Sequence, residues 1–237
     1  MNQKKLRIAI YFGLACCIGF CFSARAQPVF SQNIVGYMTL RFYAGDNLFA
    51  NQLSQSNNTL NAFFQTGVPQ GATFTEWDSV AQQYLPVSSY DTSSGWSLNY
   101  TLSYGEGGLL NIPANFTNVF AGEVWPGLNP LGSFVPPLVT DTGSLLLSCY
   151  VPYTNASFYD VVGRDPQDGE SVTILDTPSQ VSTTTTFADG FWGNGDPLLN
   201  IGQSAFFNLK PTPEPEILSL FGAGVVSLLA FRRMGRR

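Results

Sequence analysis

Glu76, Asp78, Glu106 and Glu123 are the residues of this chain best suited to acid–base chemistry. Two carboxylates flanking a glycosidic bond can hydrolyse it, one as acid and the other as base or nucleophile. That makes a glycoside hydrolase a third functional reading, but no spacing among the four selects a pair. Glu106 between Gly105 and Gly107 also reads as a turn carboxylate beside a tight backbone. The 237 residues include no histidine, which removes imidazole bases, His-based triads and most zinc sites. The expectation is a protein that is not an enzyme and carries no cofactor and no metal.

Other residue types raise binding chemistry. Asp165-Pro166-Gln167-Asp168-Gly169-Glu170 is rich in oxygen ligands, yet lacks the alternating order of a calcium loop and reads as a solvated turn. Trp77 and Trp96 are candidates for stacking on sugar rings, and Trp125 and Trp192 share that chemistry. Trp77 alternates within a strand and Trp96 has a counterpart in Trp192, a pattern that favours packing. Asn57, Asn99, Asn115 and Asn155 each open an Asn-x-Ser/Thr sequence, which reads as chance. Residues 27–210 contain three bases, Arg41, Arg164 and Lys210, against fourteen acids, a net charge of −11. Such a surface argues against nucleic acid and against anionic lipid, and favours solubility through charge.

The elements that would position these residues read as short strands. Residues 27–210 are rich in Thr, Ser, Asn, Gly, Phe and Tyr and poor in helix formers, which points to an all-β fold, sandwich- or barrel-like. Laying residue n beside n + 97 aligns two halves. LFANQL (48–53) faces LLLSCY (145–150), and TLNAFFQTGVPQG (59–71) faces ASFYDVVGRDPQDG (156–169) with one residue inserted. ATFTEWDSVAQQ (72–83) then faces ESVTILDTPSQV (170–181), SGW (94–96) faces GFW (190–192), and LSYGEGGLLNI (102–112) faces LNIGQSAFFNL (199–209). The order and spacing predict a tandem duplication, with unit one at 27–127 and unit two at 128–210.

Each unit is expected to hold one short helix. In unit one, IVGYMTLRFY continues into NLFANQL as a strand, Asn57-Asn58-Thr59 caps a helix over Leu60 to Gln65, and Phe74–Asp78 forms a hairpin with Gln83–Val87. Leu109–Ile112 and the stretch Asn115 to Trp125 complete the strands. The apolar linker from Pro126 to Pro137 predicts units packed as one body rather than tethered. This succession, with N-L-x-A-N early, W-D in the hairpin and G-E-G before the last paired strand, resembles secreted duplicated proteins of Verrucomicrobia-like bacteria. In unit two Leu175-Asp176 replaces Trp77-Asp78, and Gly202-Gln203-Ser204 replaces Gly105-Glu106-Gly107.

The two ends speak to location. Lys4, Lys5 and Arg7 precede the apolar stretch Ile8 to Phe22, and Ala24 and Ala26 flank Arg25, the pattern of a secretory signal peptide over residues 1–26. Its removal takes Cys16, Cys17 and Cys21, leaving Cys149 alone and without an internal disulfide. At the other end Pro213-Glu214-Pro215 leads into the uncharged segment Ile217 to Phe231, followed by Arg232, Arg233, Arg236 and Arg237. Fifteen residues make a helix of about 22 Å, short for a hydrocarbon core of about 30 Å. The arginines oppose translocation and hold the C-terminus inside. This succession over residues 211–237 resembles the PEP-CTERM sorting signal of Gram-negative bacteria. The resemblance implies an exosortase-type enzyme as partner, a membrane-inserted intermediate, and delivery to the cell surface or extracellular matrix. A structural or adhesive role follows as the expectation, with exopolysaccharide a candidate partner and a carbohydrate-binding module the alternative.

Overall fold

A computed structural model of the chain describes residues 35–125 and 134–211. The segment 1–26 with Ala24 and Ala26, the motif Pro213-Glu214-Pro215, the span 217–231, and Arg232, Arg233, Arg236 and Arg237 lie outside the described residues. Among the described residues no helix is long and apolar enough to cross a membrane.

In chain order the elements are β1 (Val35–Phe42), β2 (Gly45–Ala50), β3 (Leu53–Ser54), α1 (Leu60–Phe63), β4 (Thr73–Asp78), β5 (Gln83–Tyr84), β6 (Ser88–Asp91), β7 (Gly95–Trp96), β8 (Gly107–Ile112) and β9 (Phe116–Val124). The second half supplies β10 (Gly143–Leu147), α2 (Phe158–Val162), β11 (Ser171–Asp176), β12 (Val181–Ala188), β13 (Phe191–Trp192) and β14 (Ala205–Leu209). The protein is mostly β, with every pairing between strands antiparallel.

Two of the three sheets share one plan. The first-half sheet runs β2-β8-β4-β6-β7 with β5 paired on β4, and the second-half sheet runs β10-β14-β11-β12-β13. In each, a short helix precedes the third strand in the order, β4 or β11. The third sheet, β1-β9-β3, belongs to the first half and covers its sheet. Between those two layers lies a phenylalanine core: Phe42 stacks on Phe116 at 4.9 Å, Phe49 on Phe120 at 5.3 Å, and Phe64 from the end of α1 meets Phe49 edge-on at 5.3 Å. Phe49, Phe64, Phe74 and Phe120 are each no more than 1% exposed, and burying such a ring stabilises by about 1.5–3 kcal/mol.

Alternation along the strands then fixes a second interface. Phe49, Leu110 and Phe74 face the phenylalanine core, so their neighbours Leu48 and Leu109, with Trp77, face the other way. In the second half Leu145, Phe207 and Val172 pack beneath α2, while Leu146, Phe206 and Leu175 face outward. The two outward sets meet in one shared cluster of Leu48, Trp77, Leu109, Leu146, Leu175 and Phe206. The halves therefore pack sheet on sheet.

Hydrogen bonds across this seam are reciprocal. Gln82, at the β4–β5 turn, donates from Nε2 to the Ser144 carbonyl (3.0 Å) and accepts the Ser144 N–H (2.9 Å). Gln180, at the β11–β12 turn, donates to the Asp46 carbonyl (2.9 Å) and accepts the Asp46 N–H (2.7 Å). Both glutamines have positive φ, 54° and 58°, and each also donates to a carbonyl three residues back, Ser79 or Thr177. Each clasps the edge strand of the other half's larger sheet, β10 or β2, just after a glycine of φ 90° (Gly143) or 98° (Gly45), values that only glycine adopts freely. Contacts exchanged in this way are the mark of an approximate twofold relation.

The centre of the seam is polar and buried. Gln52, fully buried, donates to Ser148 Oγ and the Cys149 carbonyl (both 3.1 Å) and accepts the Gly202 N–H (2.7 Å). Ser148 Oγ donates to the Gln203 carbonyl (2.7 Å), the Ala50 N–H bonds the Gly202 carbonyl (3.0 Å), and the Ser204 N–H bonds the Leu48 carbonyl (3.1 Å). Every strong donor and acceptor in this group has a partner, the condition for a buried polar network to stabilise rather than weaken a core.

The fold corrects four local expectations. The stretch IVGYMTLRFY–NLFANQL is not one strand: the chain turns at Tyr43–Gly45 and passes between sheets, held by Asn47, whose side chain accepts the Tyr43 N–H (3.0 Å) and donates to the Tyr43 carbonyl (2.8 Å). The edge strands β2 and β10 correspond with an offset of 98, not 97, so that Leu48 matches Leu146. A slip of one residue would exchange core and seam faces. The offset of 97 holds for the last strands, where Ile112 matches Leu209. The first helix ends at Phe63, and Thr59 caps it without a side-chain bond; Asn58 Oδ1 instead accepts the Gln55 N–H (2.7 Å). The second helix has the full reciprocal cap between Ser157 and Asp160 and ends on Gly163 in the left-handed region.

Replacing Gln52 by Ala should destabilise the protein by about 3 kcal/mol or more, through a cavity and an unpaired Gly202 N–H. Urea unfolding followed by fluorescence should still show one transition for the whole protein, at a lower midpoint. A loss below about 1 kcal/mol would show that the seam contributes little.

Candidate functional site

Trp77, Asp78 and Glu106, among the residues singled out for their chemistry, stand near the seam, and the loop before β8 shows how they are held. The Gly105 N–H bonds the Asn51 carbonyl (2.7 Å), and the Asn51 N–H bonds the Glu106 carbonyl (2.9 Å). Asn51 also accepts the Leu53 N–H (3.0 Å) and donates to the Leu102 carbonyl (2.8 Å). A Cβ on Gly107 would collide with the Phe49 carbonyl oxygen, so β8 can approach β2 this closely only with glycine there. The early N-L-x-A-N stretch and G-E-G are thus two sides of one backbone junction. W-D adds a third: Trp77 Nε1 donates across the seam to the Ser144 carbonyl (2.8 Å), and Asp78 Oδ1 accepts the Val80 and Ala81 N–H groups (both 2.9 Å), closing the hairpin that carries Gln82.

Glu106 Oε2 accepts the Ser103 N–H (2.7 Å). In the second half Gln203 Oε1 accepts the Asn200 N–H (3.1 Å), so the altered motif Gly202-Gln203-Ser204 preserves the same turn. Glu106 has an additional relation without a second-half counterpart. Glu76 on β4 lies opposite Gly108 on β8, two residues past Glu106, and the Glu106 side chain acts on its carboxyl. Half-burial, the hydrogen bond and charge of Glu106, and the charge of Asp78 together raise the Glu76 pKa to about 7.

Among the four candidate acids the structure therefore brings Glu76 and Glu106 together, places Asp78 beside them as a hairpin cap, and leaves Glu123 exposed on β9.

In the oxygen-rich loop 165–170 Asp165, Asp168 and Gly169 are exposed, as a solvated turn requires, but its last residue is not. Glu170 is fully buried and accepts from Arg164 Nη2 (2.6 Å), Arg164 Nη1 (2.9 Å), and the N–H groups of Gln167 and Lys210 (both 2.8 Å). Burial alone would raise its pKa, but these four bonds outweigh it and lower the value. Among the described residues no cluster of three His, Cys, Asp or Glu side chains is arranged to hold a metal ion. Cys149 is fully buried, and burial pushes its thiol up to about 11.

The tryptophans divide. Trp96 is 4% exposed and packs among Phe64, Phe74 and Tyr90. Trp77 is half-buried, edge-on to Tyr84 (5.0 Å) and Phe206 (5.1 Å), and it borders a groove of about 390 Å³ along the seam. That groove is also lined by Tyr104, Glu106, Asp141 and Tyr150. Behind it Trp125 joins Tyr104 (5.1 Å) to Tyr150 (5.3 Å). Tyr104, Tyr150 and Asp141 carried no signal in the sequence. The equivalence of Gln82 and Gln180 was visible in the repeat, as identical residues in ATFTEWDSVAQQ and ESVTILDTPSQV. Comparison of the chain with protein-family models, with curated proteins and with solved structures finds no match in any of the three.

The Glu76 carboxyl makes stability pH-dependent. Its folded pKa of about 7 exceeds the ordinary 4.5, so the favourable contribution is complete below about pH 4.5 and is lost as pH rises through about 7. Glu76→Gln should remove that dependence and stabilise the protein at pH 8 by about 1–2 kcal/mol, after allowing for solvent screening at a half-exposed position. Thermal unfolding of both proteins between pH 5 and pH 8 measures this; parallel curves would contradict the pairing.

Proposed function

We propose that this chain is an exported protein of the cell surface or extracellular matrix, structural or adhesive in role, built by tandem duplication. Units one (27–127) and two (128–210) form its exposed body, and the segment 211–237 with its span 217–231 is a sorting signal read by an exosortase-type enzyme. What carries the structural reading is the use made of the motif residues: Asn47, Asn51, Trp77, Asp78 and Gly105 all hold backbone in place. The shared strand order of the two larger sheets and the exchanged glutamine bonds support the duplication. A leader ending at Ala26 and a tail ending in four arginines support export through the membrane, with the C-terminus held inside.

One observation favours a second reading, a carbohydrate-binding module. The seam groove sets Trp77, Tyr104 and Tyr150 beside Glu106 and Asp141, rings next to hydrogen-bond acceptors. Trp96, buried within the first half, has no share in it.

Replacing Pro213 and Glu214 with Ala tests the sorting reading. The apolar span and the arginines remain, so membrane insertion should persist, while the extended backbone that the prolines impose is lost. The expected result is an intact chain retained in the inner membrane, shown by fractionation and mass measurement of the C-terminus. Processing and surface delivery equal to the unaltered protein would overturn the reading.

A further inference from the structure

The seam has two grooves, and the twofold relation exchanges them. The first, of about 390 Å³, lies between the Ser103–Gly107 turn and the Leu138–Asp141 segment. The second, of about 320 Å³, lies between the equivalent Asn200–Gln203 turn and the equivalent residues Leu40–Tyr43, which run from β1 into the turn after it. Equivalent positions carry different chemistry. Where the first groove has Trp77, Tyr104, Glu106 and Asp141, the second half of the molecule has Leu175, Ile201 and Gln203, and the turn after β1 contributes Tyr43.

The second groove is also partly filled. Leu40 of β1 packs against Gly202, held there by the pairing of β1 with β9. In the first groove the residue equivalent to Leu40 is Leu138, which stands 57% exposed. Residues 135–142 form no strand, because β9 has no counterpart among the described residues of the second half. The duplicated plan thus leaves one groove lined by rings and carboxylates and the other closed over by an aliphatic side chain.

We propose that the aromatic groove binds a neutral glycan chain, with Trp77, Tyr104 and Tyr150 offering ring surface to sugar C–H faces and with Glu106 and Asp141 accepting hydrogen bonds from sugar hydroxyls. The inference rests on the second reading above and names its site. Ring surface and a few convergent acceptors in a cleft of several hundred Å³ are what a polyhydroxylated ligand requires. The charged groups lining the groove are acids, and none of Arg41, Arg164 and Lys210 lines it, so uronate or sulfated chains are repelled. The groove crosses from one half to the other, so a bound chain lies along the seam.

The test uses the full-length protein in detergent, with calorimetric titration of neutral pentasaccharides of glucose and of mannose and of an oligogalacturonate of equal length. At least one neutral chain should bind, at least about tenfold more tightly than the acidic one. Tyr150→Ala should weaken that binding about tenfold. Asp141→Ala, at an exposed position unconnected with the core, should weaken it about fivefold without moving the thermal midpoint. Arg41→Ala, bordering the other groove, should change nothing. Failure of every neutral chain to bind would overturn both the site and the carbohydrate reading. Neutral-chain binding that withstands Asp141→Ala and Tyr150→Ala, or that falls with Arg41→Ala, would overturn the site and leave the carbohydrate reading standing.

Discussion

Two glutamines, one from each half, each grip the edge strand of the other half's larger sheet, and the architecture depends on that exchange. Gln82 and Gln180 satisfy both the N–H and the carbonyl of a single residue, Ser144 or Asp46. A paired donor and acceptor fix the distance and the register of a strand, as a ladder bond would. With those two strands fixed, alternation brings Leu48, Leu109 and Trp77 against Leu146, Phe206 and Leu175. The remaining faces then turn inward to a separate core in each half. The buried Gln52 network closes the centre, where a slip of either sheet would leave the Gly202 N–H unpaired.

The junction also explains why G-E-G and its altered partner coexist. Glu106 and Gln203 perform the same turn-closing bond through a side-chain oxygen, which a carboxylate and an amide both supply. The halves differ in what stands beside that residue: in the first, burial and the Glu106 side chain raise the Glu76 pKa to about 7, whereas in the second Gln203 Nε2 donates to the Leu175 carbonyl (3.1 Å). That difference places a titrating group near neutral pH on one side of an otherwise balanced seam.

The all-β character, the hairpin at Phe74–Asp78, and the position and type of both helices were legible from periodicity and composition, because they rest on local patterns. The register of the repeat was legible only to one residue. Gly45 and Gly143 begin equivalent strands, but a single-residue length difference lies between the hairpins and the last strands, and LFANQL aligns about as well with either offset. The passage of the chain between sheets at Tyr43–Gly45 was hidden because both flanking stretches are strand-like and Asn47, which makes the turn, stands within the second. The groove was least legible: Tyr104, Asp141 and Tyr150 are far apart in the chain and meet only when the two sheets pack. Glu170 was misread because its four partners include Arg164 and the Lys210 N–H, the latter forty residues away.

A cut between the halves tests most directly whether the reciprocal seam makes them one body. A protease site placed within residues 126–133, between Val124 at the end of β9 and Gly143 at the start of β10 in the chain, would open the chain while leaving Gln52, Gln82, Gln180 and their partners unchanged. After cleavage the two fragments should elute together and unfold in one transition, at a midpoint within a few degrees of the uncut protein at the same concentration. Separation of the fragments, or two independent unfolding transitions, would contradict the account.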